Sequence, residues 1–392
     1  MPRRTNLTID ELPYQYKGKK LQLHKSYTNP RFESNTVLTD DIYTYIDFYF
    51  ASHKKSMKYK NPAVSKPKYG NEMQYHYSFY WKQSMNFYYA AKKLPIEATP
   101  LLSYYSMLNA VKAYLAFKCD YIEDFVEHFL GHGLFEKIDA SANDLNTIMV
   151  ARKIKGVYPL FAKMMDSNFD TIWPNGQSNA FTLKQLLYNL AFIHRAFITT
   201  YTTPRGAKIP ELFIPLENNS VPCYHKGNDF NLYLQIELEK NFFGISANSI
   251  PVQYSTSMSP LLTIKNGAPF ILVSANGARR NTTDSLSTDF RNLNSELRKE
   301  FQYIRSSKRL WYLKRTNLQG QDIINLNSMS LIMAAMHRIS EIARYKPEQL
   351  AHLMKSKENW LMHEFLTLAL DQFIDELAAE ITGQDIMCTG MK

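Results

Sequence analysis

The spacing of apolar residues changes twice along this chain, from helical to alternating and back to helical. Phe181–Thr200 places its leucines at the three- and four-residue intervals of one helix face. Ile209–Ser274 instead alternates and contains turn pairs such as Asn266-Gly267. Ser328–Tyr345 returns to strong helical periodicity. This pattern predicts a mainly α (α+β) fold in which two helical halves flank a central antiparallel β insert.

The length of 392 residues suits more than one domain. We expect a basic N-terminal arm and first helix at 1–70, an N-terminal helical half at 71–205, a β-rich insert at 206–283 and a C-terminal helical half at 284–392. The prolines of Leu94–Pro100 divide two long helices between about 71 and 129. The other predicted elements are helices at Asp40–Ser52 (N-cap Thr39), Ser285–Ser306, Pro347–Met354 and Glu358–Ile381, and a strand at Arg309–Lys314.

The charge balance points to anionic partners. Lysine and arginine number 46 against 36 acidic residues, which gives a formal net charge of +10. A basic surface attracts phosphates through counterion release, so nucleic acid is the first partner to consider. The alternative is that the charge is only a solvated surface, because many lysine-rich soluble proteins carry it without binding nucleic acid.

Several classes of protein are excluded. Cys119, Cys223 and Cys388 lie far apart and form no CxxC pair, which excludes a disulfide framework and a zinc ribbon. No window reaches the roughly 18 apolar residues of a membrane span. The chain contains no GxxxxGK[ST], GxGxxG, HExxH or GxSxG motif. We therefore expect a cytoplasmic protein with no membrane partner, no metal site and no cofactor.

A lysine interrupts the apolar stripe of the helix predicted from Leu101 to Phe117. Lys112 projects among leucines and Val111, and Asn109 lies at the edge of the same stripe. A buried ammonium group must find a partner or lose its proton. Lys112 and Asn109 are therefore candidate ligands for a phosphate or carboxylate. The alternative is a lysine stem that lies along the protein and carries its ammonium group to solvent or to an acid.

A second polar ridge lies on the predicted helix Ser328–Tyr345. His337, Glu341 and Arg344 fall at i, i+4 and i+7, opposite the apolar stripe. A histidine and a carboxylate beside an arginine could transfer protons while the arginine stabilises a phosphate, so these three are the candidate catalytic residues. Arg338 and Tyr345 flank them as candidate binding residues. The alternative is an ordinary polar helix face with one ion pair.

The segment GHGLF, from Gly131 to Phe135, places His132 between two glycines. Glycine allows a backbone to approach a ligand closely, which makes His132 a candidate binding residue. The simpler interpretation is a turn that requires a positive φ angle.

Four segments, taken in order, resemble the YaaC-like bacterial proteins. They are TPLLSYYSMLNAVKAYLAF, GHGLF, MSLIMAAMHRISEIARYKPEQL and NWLMHEFLTLALDQFIDEL. The resemblance implies a mostly helical cytosolic bacterial protein, with no established activity and no catalytic residues to carry over. By analogy with other orphan bacterial families, it also suggests an antiviral-defence or toxin-like setting.

Three functions remain open at this point, and whether the protein is an enzyme is one of the questions. The preferred hypothesis is the binding of an anionic partner, nucleic acid or nucleotide, in an inter-helical cleft supplied with charge by Lys112, Arg338 and Arg344. The first alternative is a metal-independent nuclease or nucleotide-processing enzyme that uses the His337 ridge. The second is a protein–protein assembly subunit or homo-oligomer that packs through the aromatic run Tyr75–Tyr89.

Overall fold

The computed structural model describes residues 12–56, 58–60, 76–137, 144–202, 208–218, 220–226, 229–279, 286, 288–308 and 310–390. Within these ranges the fold is mainly helical with several small sheets, which confirms the α+β class. Residues 1–11 of the predicted basic arm and most of its lysine-rich stretch lie outside the described residues.

The chain forms two compact units. The helical unit comprises residues 39–209 and 324–382, and the β unit comprises residues within 1–38, 210–323 and 383–392. The helices before residue 210 and those after residue 323 therefore belong to one unit. The division into four consecutive segments expected from the sequence stays a prediction.

The α-helices are numbered in chain order. They are α1 (Ile42–Ser52), α2 (Tyr77–Ala91), α3 (Thr99–Lys118), α4 (Val157–Met165), α5 (Phe169–Ile172), α6 (Leu183–Tyr188), α7 (His194–Tyr201), α8 (Val252–Ser255), α9 (Thr288–Arg298), α10 (Ser328–Tyr345), α11 (Pro347–Leu353) and α12 (Asn359–Thr382).

The strands are short. They are β1 (Gln15–Tyr16), β2 (Lys19–Lys20), β3 (Val37–Leu38), β4 (Leu134–Glu136), β5 (Met149–Arg152), β6 (Phe181–Thr182), β7 (Phe213–Pro215), β8 (Cys223–Lys226), β9 (Asp229–Glu237), β10 (Leu262–Ile264), β11 (Ile271–Ser274), β12 (Ala278–Arg279), β13 (Phe301–Ile304), β14 (Leu310–Lys314) and β15 (Ile386–Met387).

Helix α3 is the centre of the helical unit and packs against α2, α4, α10 and α12. The predicted break between α2 and α3 is confirmed, because a 3-10 turn at Ile96–Ala98 follows Pro95 and Pro100 lies in the first turn of α3. Buried small side chains on α3 allow its neighbours to approach closely. These small residues are Ser103, Ser106, Ala110 and Ala113.

A three-stranded antiparallel sheet of order β4-β5-β6 also belongs to the helical unit. In its register Leu134 faces Arg152 and Glu136 faces Val150. The sheet matters for function because it fixes the loop before β4 and the segment after β5.

The helix predicted over Phe181–Thr200 is wrong in its extent. The segment begins as β6, and Thr182 caps the short helix α6 in a capping box with Gln185. Asn189 ends α6: its side-chain amide donates to the carbonyl of Gln185 at 2.9 Å, and its Oδ1 accepts from the Ile324 amide at 2.9 Å. This polar side chain competes with the helix backbone, so the apolar periodicity overestimated the length of the helix.

The β unit contains a sheet of order β10-β11-β9-β12, in which β8 also pairs with β9, and a separate sheet of order β13-β14-β7. The strands of both sheets pair antiparallel. The predicted turn at Asn266-Gly267 joins β10 to β11 as expected. Strand β9 alternates, with Leu232, Leu234 and Ile236 buried in the core of this unit.

The single helix predicted over Ser285–Ser306 is also wrong. Helix α9 ends at Arg298, and β13 follows and pairs with β14. The guanidinium of Arg298 is buried and donates to the carbonyl groups of Lys25 and Phe301, which ties the end of the helix to the backbone. Phe301 and Tyr303 then lie buried in the core with strand spacing.

Other boundaries agree with the sequence. Ser328–Tyr345 is a helix as predicted, and α11 and α12 begin and end within one residue of expectation. The cap of α1 is Asp41 and not Thr39, because the Asp41 carboxylate accepts from the Thr44 amide at 3.1 Å. None of the described helices has both the length and the apolar character needed to cross a bilayer.

Candidate functional site

A cleft of about 310 Å³ opens in the helical unit. Its walls come from α3, the loop that leads into β4, the segment that follows β5, and the C-terminal half of α10. The residues that line it are Leu101, Tyr104, Tyr105, Gly131, His132, Gly133, Leu134, Lys153, Lys155, His337, Ser340, Glu341, Arg344 and Tyr345.

The loop that carries His132 is held by the start of α4. The amides of Val157 and Tyr158 donate to the carbonyls of Gly131 and His132 at 2.9 and 3.0 Å. Gly133 has a φ of +84°, which confirms the predicted turn with a positive φ. The N-terminus of a helix thus uses its free amides to fix the backbone around the imidazole.

A second glycine allows this contact. Gly156 has a φ of +137°, and a Cβ atom there would lie 2.4 Å from the Cα of Gly133. No side chain fits in that space, so the two glycines are a matched pair. His132 is consequently presented on a rigid backbone.

His132 contacts a buried tyrosine. The hydroxyl of Tyr104 lies 2.6 Å from Nδ1 of His132, and the two rings stack with their centroids 5.3 Å apart. Burial, with added repulsion from Glu341, raises the pKa of Tyr104 well above its ordinary value, so the hydroxyl keeps its proton. When that proton is donated to Nδ1, the neutral imidazole carries its own hydrogen on Nε2.

Burial lowers the pKa of His132, and the charges of Lys112, Lys153 and Arg344 lower it further. The ring is therefore neutral at pH 7. A neutral imidazole with a fixed N–H is a hydrogen-bond donor for an anion.

His337 lies beside this pair and is 4% exposed. Its ring centroid lies 4.9 Å from that of Tyr104 and 5.7 Å from that of His132. Burial, then the charges of His132 and Arg338, lower its pKa to about 3. Its Nδ1 has no hydrogen-bond partner among the described residues. A buried imidazole with an unpaired nitrogen at a cleft is a candidate ligand contact.

Glu341 does not form an ion pair with His337, although its Oε2 lies 3.7 Å from Nδ1. Burial raises the pKa of Glu341 and the charge of Glu136 raises it further, whereas Arg338 opposes the shift. Because His337 is neutral at pH 7, it offers Glu341 no positive charge for an ion pair. The separation also exceeds hydrogen-bond range.

Arg338 is committed to carboxylates. Its guanidinium contacts Glu136 at 2.5 Å and Glu341 at 3.4 Å, and Lys346 contacts the same Glu136 oxygen at 2.8 Å. Burial opposes the shift at Glu136, but Lys346 and Arg338 hold the pKa of that carboxyl below its usual value. Arg338, predicted as a binding residue, does not line the cleft and instead orders the acids behind it.

Three cations line the cleft, and two of them are unpaired within the described part of the chain. Neither Lys153 nor Arg344 forms an ion pair there, and Lys155 lies 3.8 Å from Glu127 with both side chains exposed. Arg344 lies over the ring of Tyr345 at 4.9 Å, and that tyrosine is 66% exposed. The cleft therefore combines positive charge with an accessible aromatic face.

Lys112 lies outside the lining of the cleft. Its Nζ is 5.3 Å from the ring of Tyr80 and 5.2 Å from that of Phe129, and burial lowers its pKa. The Asn109 amide donates to the carbonyl of Tyr105 at 2.7 Å. Lys112 is partly buried, and within the predicted apolar stripe Leu108, Val111 and Leu115 are buried.

Of the predicted site residues, the structure brings together His132, His337, Glu341, Arg344 and Tyr345 at the cleft. It places Asn109, Lys112 and Arg338 outside the lining. The catalytic and binding roles assigned to these eight residues stay predictions.

The sequence analysis missed Tyr104 and the pair Lys153 and Lys155. The available signal was Lys-Ile-Lys-Gly, which directly follows a buried strand and ends at Gly156. Two lysines beside a glycine turn place positive charge where an anion could approach the backbone.

The aromatic run proposed as an assembly face is partly internal. Tyr77, Tyr80 and Trp81 are buried, and only Phe79 and Tyr89 are exposed large rings among its described residues. Tyr75 lies outside the described residues. The assembly hypothesis stays a prediction.

The described residues contain no group of three or more His, Cys, Asp or Glu side chains placed to hold a metal ion. The chemistry available at the cleft is that of two neutral imidazoles, three cations, one carboxyl group and three tyrosines. Such groups can bind an oxyanion and can exchange protons with it.

The YaaC-like Protein family model matches residues 43–381, a range that includes every residue lining the cleft. No curated protein and no solved structure matches the chain. The family model covers well over half of the sequence and agrees with the motifs noted above, and the chain therefore belongs to the YaaC-like family.

Proposed function

We propose that this YaaC-like protein binds a phosphate-bearing ligand, a nucleotide or a nucleic acid, in the cleft of its helical unit in the bacterial cytoplasm. The observation that supports this is the unpaired Nδ1 of the buried His337 beside the unpaired cations Lys153 and Arg344. An antiviral-defence or toxin-like setting stays a prediction.

The electrostatics favour an anion over a neutral ligand. Burial, and after it the charges of neighbouring side chains, lower the pKa of both His132 and His337, and the cations of the lining give the cleft an excess of positive potential. An anion would neutralise that excess and accept hydrogen bonds from the imidazoles. Charge-assisted bonds of this kind are among the strongest that a protein makes.

The test is a binding titration with fluorescently labelled single-stranded RNA, single-stranded DNA and nucleotides, starting at 50 mM salt and raising it stepwise. We expect binding that weakens with salt, and a loss of about tenfold or more in affinity for the Lys153→Ala/Arg344→Ala double variant. The control is Lys93→Ala/Lys355→Ala, which removes two exposed cations of the helical unit away from the cleft. Absence of binding to all three ligands at 50 mM salt would remove the proposal.

A second candidate function is metal-independent cleavage or processing of a nucleic acid or nucleotide. It is favoured by the 5.7 Å separation of the His132 and His337 rings, with Glu341 close to the latter. In this version His337 and Glu341 transfer protons and Arg344 holds the phosphate. Two imidazoles at one phosphate can serve as acid and base.

Incubation of labelled RNA and DNA with the protein in a metal chelator separates binding from cleavage. Cleavage that persists in the chelator and disappears in His337→Ala would support the enzyme. Cleavage unchanged in His337→Ala would show that this assignment of proton transfer is wrong.

A further inference from the structure

The cleft has two chemically different ends. Tyr104 and His337 are 1% and 4% exposed, whereas Tyr345 is 66% exposed. Lys153 and Lys155 are also exposed at the outer part. A ligand would therefore meet buried hydrogen-bonding rings at one end and an open aromatic face with cations at the other.

The volume limits the ligand. At about 310 Å³ the cleft lies at the small end of the range for small-molecule sites, which begins near 300 Å³. This space suits one nucleotide and excludes a duplex.

The charged and hydrogen-bonding groups of the cleft as a whole suit a phosphate monoester. Lys153, Lys155 and Arg344 are opposed within the lining only by Glu341, and Arg338 already contacts that carboxyl group. A terminal phosphate brings up to two negative charges and three free oxygens, whereas an internal phosphodiester brings one charge and two such oxygens. The excess of cations and imidazole donors matches the former.

The outer end suits an apolar, planar body. Tyr345 is exposed, and so are Leu130 and Ile154, two apolar neighbours in sequence of lining residues, at 90% and 63%. Leu130 directly precedes the His132 loop, and Ile154 lies between the two lysines of the lining. A nucleobase stacked on the tyrosine would cover surface that is otherwise left in water.

We propose that the cleft holds one nucleoside with a terminal phosphate monoester, the phosphate at His132 and His337 and the base on Tyr345. This inference rests on the proposed anion-binding function. The same chemistry occurs in a free nucleotide and at the phosphorylated end of a strand, and the experiment distinguishes these two sources.

The experiment compares AMP, adenosine and inorganic phosphate by calorimetric titration, together with a single-stranded decanucleotide that bears either a 5′-phosphate or a 5′-hydroxyl group. AMP should bind at least about tenfold more tightly than adenosine or phosphate alone, since one stacked base and one charged phosphate each contribute about that factor. If the 5′-phosphorylated decanucleotide binds tightly, the natural source of the ligand is the end of a strand. If only AMP binds tightly, the source is the free nucleotide.

A loss of binding in a Tyr345 variant cannot be attributed to a folding defect, because the Tyr345 side chain is largely in solvent. Tyr345→Ala should bring AMP to within about threefold of inorganic phosphate, whereas Tyr345→Phe should retain the preference. The matched control is Trp360→Ala, which removes another exposed aromatic ring of the helical unit outside the cleft.

Two failures are distinguishable. If the 5′-hydroxyl decanucleotide binds as tightly as the phosphorylated one and as AMP, and Arg344→Ala weakens all three, this inference is overturned while the anion-binding function stands. If none of the probes binds at 50 mM salt, both are overturned.

Discussion

Arg315 in the β unit and His337 in the helical unit are both 4% exposed, yet the hydrogen bonding of their polar atoms differs. Arg315 donates from Nε to the Ser257 hydroxyl at 2.6 Å and from its two terminal nitrogens to the backbone carbonyls of Glu211 and Gln253. His337 leaves Nδ1 without a partner within the described residues and lies at a cleft.

The difference separates structure from function. A buried cation whose donors are all used stabilises the fold and has nothing left to offer a ligand. A buried imidazole with an unused nitrogen costs folding free energy, which a ligand can recover on binding. The comparison can be tested by variants that remove each kind of group.

The largest effect is expected at the loop that presents His132. Gly156→Ala places a Cβ atom 2.4 Å from the Cα of Gly133 at a φ of +137°, so it should lower the free energy of unfolding by about 3 kcal/mol or more and abolish ligand binding. Gly131→Ala is the control, because its Cβ would meet no atom within 4 Å and its φ is −150°. Urea denaturation measures both, and equal stabilities would contradict the rigid-loop argument.

The next largest effect on stability is expected at Arg315, the buried cation with hydrogen-bond partners. Arg315→Met leaves the Ser257 hydroxyl and two carbonyls without their donor and removes the contact with the Tyr254 ring at 4.5 Å. We expect the free energy of unfolding to fall by about 2–3 kcal/mol. Arg31→Met, at a half-exposed arginine of the same unit, should change it by about 0.5 kcal/mol or less. If Arg315→Met leaves the free energy of unfolding unchanged, a complete set of hydrogen bonds does not indicate a structural role.

The third effect depends on pH. The pKa of His337 is lowered to about 3 in the folded protein, while in the unfolded chain it is close to 6.5. Below about pH 6.5 the unfolded state binds a proton that the folded state does not, so stability falls as the pH falls from 6.5 towards 3. Between pH 7.5 and 5 this residue should contribute a loss of about 2 kcal/mol.

His337→Asn removes that titration and keeps a polar side chain of similar reach. The variant should lose less stability than the wild type over the same pH interval, as measured by urea denaturation at both values. Parallel pH profiles for the two proteins would show that the imidazole is not held neutral.

The smallest effect is expected at Lys112. Its ammonium group lies near the rings of Tyr80 and Phe129 and outside the cleft lining, so Lys112→Met should change the free energy of unfolding by about 1 kcal/mol or less. The affinity for AMP should change by less than about threefold. A loss as large as that of Arg344→Ala would return Lys112 to the binding site, as the sequence first suggested.

The sequence predicted elements best where one face dominates. Ser328–Tyr345 is correct to the residue because its apolar stripe is dense and Asn327 caps its start at 2.9 Å. It predicted worst where a polar side chain decides: Asn189 ends α6, although the apolar periodicity of the sequence continues beyond it.

The cleft could be predicted only in part. Periodicity placed His337, Glu341 and Arg344 on one ridge of a helix, and the flanking glycines indicated a special backbone at His132. The spacing of residues along the sequence does not show which helix face packs against which loop. The contact between Tyr104 and His132 joins residues from separate elements, so only the tertiary structure reveals it.

The pairing of β3 with β15 has a consequence for how the protein is made. These parallel strands come from opposite ends of the described chain, so a ribosome must have synthesised residue 387 before they can meet. Helix α3 likewise waits for α10 and α12 to cover it. The nascent chain therefore exposes the apolar surface of α3 to solvent through most of its translation. Chaperone supply and growth temperature should govern the yield of this protein more than its final stability does.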